Sequence, residues 1–154
     1  MDIKRILVVC RIPEFCHEAV LAGLSLSKKY DAELYVMRSI YDPFIRGDWN
    51  LPVQLGAMED EYKKMQTDAM AALEKIVSAE KKKGTAIKEI VREGKPAEEI
   101  LKTVKEEKID LIVMLCHEET RLEHWLFGRS TEDIIRKMPC SVLLVRKELP
   151  QANF

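Results

Sequence analysis

A chain of 154 residues, 47% hydrophobic and 33% charged, has the size and apolar content of one globular domain with a substantial core. Lysine and arginine number 25 against 26 acidic residues, so the formal net charge of -1 supplies no field for nucleic acid or an anionic membrane as partner. No apolar run reaches the length of a membrane span, the N-terminus MDIKRILVVCR goes straight into a strand-like pattern without a signal-peptide layout, and Cys10, Cys16, Cys116 and Cys140 are too scattered for a disulfide framework. The expectation is a cytoplasmic protein with reduced thiols.

The first element is the continuously apolar run from Ile6 to Cys10, which reads as a strand covered on both faces. From about Glu14 to Tyr30, Ala19, Val20, Leu24 and Ser27 form one stripe and predict a helix. Glu33 to Arg38 (ELYVMR) reads as a second strand. Ser39 to Leu55 contains Pro43, Gly47, Asn50 and Pro52 and reads as an irregular excursion, long for a connection of this class. Met58, Tyr62, Met65, Ala69, Ala72 or Leu73, and Ile76 recur at threes and fours, predicting a long second helix that runs to about Lys83 and stops before Gly84.

Ile87 to Val91 is a weaker third strand. Pro96 at a first helical position, followed by Ala97, Ile100, Leu101 and Val104, predicts a third helix to about Lys108. Leu111 to Leu115 (LIVML) is the most apolar strand; Thr131 to Met138 is a fourth helix, and Ser141 to Val145 (SVLLV) a fifth strand. Strict alternation predicts an α/β, three-layer, doubly wound sheet of five parallel strands. The order 3-2-1-4-5 places the two most apolar strands side by side in the centre, so ligand chemistry belongs where their C-terminal ends flank the topological switch point. Residues 1–150 form the domain, with a long loop at about 39–56 and a tail at 151–154.

The segments KRILVVCRIPE, VREGKPAEEILKTVKEEKIDLIVM and LFGRSTEDIIRKMPCSVLLVR resemble the universal stress proteins over nearly the whole chain; the excursion from Ser39 to Leu55 is unmatched. The resemblance implies the Rossmann-like fold shared with adenine nucleotide alpha hydrolases, and a homodimer. It also implies an ATP site whose signature is Gly, two residues, Gly, nine residues, Gly, then Ser or Thr. Here the spacing survives while the residues change: Leu115 and Glu118 stand at the first two glycine positions, Gly128 keeps the third, and Arg129 replaces the hydroxyl residue. Arg11 stands where the family has an acidic residue that recognises the adenine-ribose end. Glycine lets backbone approach phosphate closely, leucine prevents this by bulk, and a glutamate beside a polyanion repels it.

Gly128, Arg129, Ser130 and Thr131 precede a helix whose free N–H groups could receive an anion. The ordinary reading is that Ser130 caps the helix, with Asp133 in its first turn. Thr120 with Glu123 fits a capping box, and Leu122, Trp125 and Leu126 could close over the sheet edge. Cys10, Cys116 and His117, with Cys16 and His17 nearby, carry donor types that zinc prefers, but their spacing matches no known zinc motif. No nucleophile elbow, paired carboxylates or P-loop lysine is present, and Glu118, Glu119 and His117 read as a solvated loop.

Association has firmer support. Ser141, Val142, Leu143, Leu144 and Val145 at a sheet edge make a pairing template, and the resemblance implies antiparallel pairing of two such strands. The apolar excursion 43-PFIRGDWNLPVQL-55 packs on its own domain, extends the dimer or receives a partner protein. Two functions follow. One is a non-enzymatic stress-response or regulatory homodimer, without cofactor and lacking the family's usual ATP site. The alternative is a sensor of ATP, another adenine nucleotide or an anion at Gly128 to Thr131, with slow hydrolysis as an extension.

Overall fold

The computed structural model describes residues 2–10, 16–40, 56–116, 130–137 and 139–146. Among the described residues the elements alternate: β1 (Arg5–Cys10), α1 (Cys16–Tyr30), β2 (Glu33–Ile40), α2 (Gly56–Lys82), β3 (Ile87–Glu93), α3 (Pro96–Glu107), β4 (Leu111–Cys116), α4 (Ser130–Lys137) and β5 (Ser141–Arg146). All four strand pairings are parallel, in the order β3-β2-β1-β4-β5, as the alternation and the apolar centre predict.

The period of two along each strand divides the core between two helical layers. Ile6, Val8, Leu34, Val36, Leu111 and Val113 pack under α1 and α2, against Val20, Leu24, Leu73 and Val77. Leu7, Val9, Met37, Ile112 and Met114 pack under α3 and α4, against Ile100, Val104 and Ile134. Gly23, absent from the predicted α1 stripe, is buried where α1 crosses β1, and a β-carbon there would collide with Cγ2 of Val8.

Three helices end in the same way. After α1, Ala32 donates its N–H to the Ser27 carbonyl at 2.9 Å; after α2, Thr85 donates to Glu80 at 3.1 Å; after α3, Ile109 donates to Val104 at 3.0 Å. Each is the six-to-one bond of a Schellman ending, which needs a left-handed residue just beyond the helix. Gly84 fills that place after α2, whereas Asp31 and Lys108 adopt φ of 51° after α1 and α3.

β2 and β3 both run two residues past their expected ends. Ser39 pairs with Arg92 and Ile40 with Glu93, so the ladder continues through residues whose polarity reads as loop. Ion pairs hold these ends: Arg92 binds Glu106 of α3, and Arg38 binds Glu89 on β3 and Glu74 on α2. Helix α4 begins at Ser130, one residue before its expected start, and β5 continues to Arg146. Among the described residues, no helix is long and apolar enough to cross a membrane.

Candidate functional site

The switch point lies between β1 and β4, registered by Ile6 with Leu111 through Val9 with Met114. Their opposite, N-terminal ends are locked together. The Asp110 carboxylate accepts the backbone N–H groups of Lys4 and Arg5, each at 2.9 Å, while the Asp110 N–H donates to the Arg5 carbonyl at 3.0 Å. Fixing the register at one pole fixes which residues meet at the other, where chemistry would occur.

At that C-terminal pole, Cys10 closes β1, buried in the apolar layer under α1. Leu115 is half-buried near the tip of β4 and paired with Val145 of β5, and Cys116 ends the strand opposite Arg146. Ser130 and Thr131 open α4, whose first turn lies at the same pole because the helix returns antiparallel to β4. Glu132 and Asp133 in that turn already complement the positive end of the helix dipole. Arg11, His117, Glu118, Gly128 and Arg129 lie outside the described residues, as do most of the excursion and the segment from Thr120 to Leu126.

Cys10 shares its apolar layer with Val113. Cys16 is buried at the start of α1, and its neighbour His17 is exposed. Among the described residues, no three His, Cys, Asp or Glu side chains come together as a metal-binding group. Cys140 sits at the opposite pole, where burial pushes its thiol above the usual range and the Asp110 carboxylate adds to the shift.

One polar feature of this pole has no counterpart in the sequence reading. Among the described residues, Arg38 Nε, Ser39 Oγ and Arg92 Nε are buried with no hydrogen-bond partner, all at the C-terminal ends of β2 and β3. Buried polar groups are ordinarily satisfied by protein or water, so three orphans on two adjacent strand ends mark a polar margin beside the switch point. Arg38 itself is anchored by a 3.1 Å bond to Glu89, which also receives Lys81 Nζ at 2.6 Å. Only the polarity of R-S at the end of ELYVMRSI hinted at this margin.

The sequence profile of the universal stress protein family matches residues 2–146. Universal stress protein MJ0531 of Methanocaldococcus jannaschii is 30% identical over 149 residues, covering 94% of this chain and 82% of that protein. Among solved structures, universal stress protein UspA from Lactobacillus plantarum superposes with a TM-score of 0.64 at 21% identity, covering 95% of this chain and 99% of its own. A family protein from Arabidopsis thaliana with AMP bound gives a TM-score of 0.57 at 16% identity, with 97% of both chains covered. Fold, strand order and profile agree, and the chain belongs to the universal stress protein family.

Proposed function

We propose that this protein acts as a non-enzymatic regulatory homodimer of the universal stress type, working in the cytoplasm through protein contacts rather than through the family's usual hold on ATP. The observation that carries the reading is the contrast between the two sheet edges. β3 lies at one edge and surrounds an exposed Val91 with paired charge: Lys88 is paired with Glu107, Arg92 with Glu106, and Glu89 with both Lys81 and Arg38. Charges on an edge strand discourage pairing with another chain. β5 exposes the other edge and dresses it with leucine, Leu143 being 38% and Leu144 40% exposed. An apolar strand at the edge of the described sheet is suited to antiparallel pairing with its own copy.

Leu115 supports the second half of the proposal. Leu115, half-buried and in register with Val145, stands where the family pattern places a glycine, and a branched side chain there opposes the close backbone approach that a phosphate requires. Calorimetry with ATP, ADP and AMP tests this half, and absence of saturable micromolar binding is expected. Light scattering on the full chain tests the dimer, which Leu143→Arg should dissociate.

A second reading, an adenine nucleotide or anion sensor at Gly128 to Thr131, is favoured by the position of α4. Its first turn shares a pole with the ends of β1 and β4, and a relative of the same fold has been seen with AMP bound. Micromolar AMP or ATP binding that a bulky replacement of Gly128 abolishes would establish this reading over the first.

A further inference from the structure

Two buried thiols lie on facing surfaces of β1 and α1 at the switch-point end of the sheet. Cys10 closes β1 and is 2% exposed, and Cys16 opens α1 and is 3% exposed. Both belong to the apolar layer under α1. Cys10 shares its face of β1 with Ile6 and Val8, the face that α1 covers. Cys16 belongs to the buried stripe of α1 with Ala19, Val20, Gly23 and Leu24.

Gly23 registers these two surfaces. A β-carbon at Gly23 would collide with Val8 Cγ2, so the helix rests directly on the strand at that point. α1 returns antiparallel to β1. Cys16 is seven residues before Gly23, within about 20° of two full turns, which keeps it on the same side of the helix and about 10.5 Å nearer its start. Cys10 is two residues after Val8, on the same face and about 6.6 Å nearer the end of the strand. Cys16 therefore lies over the end of β1, about 4 Å beyond Cys10 along the strand.

The two sulfurs have different surroundings. The first residue of a helix stands among N–H groups that have no intrahelical acceptor, which favours negative charge on its sulfur, and an end turn opens to solvent more readily than a core. Cys10, set deeper in the apolar layer, has the position of a resolving thiol.

We propose that Cys16 and Cys10 are a peroxide-responsive pair that is reduced at rest and joins reversibly. The Cys16 thiolate attacks one peroxide oxygen, the O–O bond breaks, and hydroxide leaves as water with the proton that Cys16 released. The Cys10 sulfur then attacks the Cys16 sulfenic acid, the S–O bond breaks as the S–S bond forms, and a second water carries away the Cys10 proton. Two thiols lose two electrons in all, and one peroxide becomes two waters. The bond ties the end of β1 to the start of α1 beside the switch point, and a thiol reductant undoes it.

The test exposes two folded proteins to hydrogen peroxide: the full wild-type chain, and a Cys116→Ala, Cys140→Ala variant whose only thiols are Cys10 and Cys16. Thiol titration, intact mass and peptide mapping are read before and after dithiothreitol, with fold checked by circular dichroism. The expected result in both is the loss of two free thiols and two hydrogens, a bond mapped between Cys10 and Cys16 within one chain, and full recovery on reduction. Cys10→Ala should stop at a Cys16 sulfenic acid that dimedone traps, and if that variant does not fold, the two-thiol variant decides alone. Thiols that survive peroxide and alkylate only after unfolding overturn the proposal. So does direct oxidation of Cys16 to the sulfinic acid with Cys10 intact, or a wild-type bond that maps to Cys116 or Cys140.

Discussion

Asp110 and Arg5 are bound to each other twice, the carboxylate taking the Arg5 N–H at 2.9 Å and the Asp110 N–H reaching the Arg5 carbonyl at 3.0 Å. Because the same oxygen also accepts from Lys4, one side chain sets the starting register of both central strands. Hydrogen bonds to a charged acceptor contribute about 1.5 to 3 kcal/mol, so Asp110→Ala should lose about 2 kcal/mol or more of unfolding free energy. Asp110→Asn, which keeps an acceptor oxygen, should lose less. Urea titrations with an unchanged m-value are the measurement, and equal stability of all three proteins would refute the latch.

Gly23→Ala sets two effects against each other. Alanine favours helix by about 1 kcal/mol over glycine, but here its β-carbon would enter the space of Val8, a stiff and fully buried neighbour. Overpacking a core costs roughly 1 to 3 kcal/mol, so net destabilisation is expected. Val8→Ala in the same background should recover part of that loss in a double-mutant cycle.

Asp31 and Lys108 occupy left-handed positions at φ of 51°, the place glycine takes after α2. Asp31→Gly and Lys108→Gly relieve the side-chain penalty but enlarge the freedom of the unfolded chain, leaving a net gain of roughly 0.5 kcal/mol. Thermal unfolding should show a small rise in Tm for each and an additive rise for the pair, since the sites are separate. Gly84→Ala, at φ of 90°, should shift Tm downward.

Glu80 accepts bonds from Lys83 at 2.8 Å and Lys28 at 3.1 Å, and those two bonds, Lys83 first, hold its carboxyl below the usual range. A carboxyl depressed by folding contributes stability above its unfolded value of 4.5, and the contribution disappears as pH falls through the folded value. Glu80→Gln should therefore be less stable than wild type at pH 7 and indistinguishable from it once both carboxyl forms are protonated. Denaturation curves from pH 7 to pH 2.5 report the convergence.

The sheet was legible because its signals are redundant: LVV, LIVM and the period-two faces of ELYVM leave strands no alternative burial, and alternation with helices then dictates a parallel order. Strand ends were less legible where they are polar. Ser39 and Arg92 look like loop residues, yet they pair because ion pairs from α2 and α3 hold the strands together past their apolar stretches. Gly23 escaped the α1 stripe because a hydrophobic pattern records what is packed and is blind to a side chain omitted so that two backbones can approach. Of the candidate site, the tip of β4 and the start of α4 fall where spacing puts them, while the three orphaned polar atoms could not be read, since satisfaction of a side chain is a property of neighbours distant in sequence.

In the proposed dimer, the charged ladder along β3 would limit how large an assembly can grow. A building block with two receptive borders polymerises, whereas one with a single receptive border is used up after one joining event. Lys88, Glu89 and Arg92, each tied to a helix of its own chain, flank the exposed Val91 and guard the far border. Stripping those charges should turn a self-terminating pair into a fibre-former.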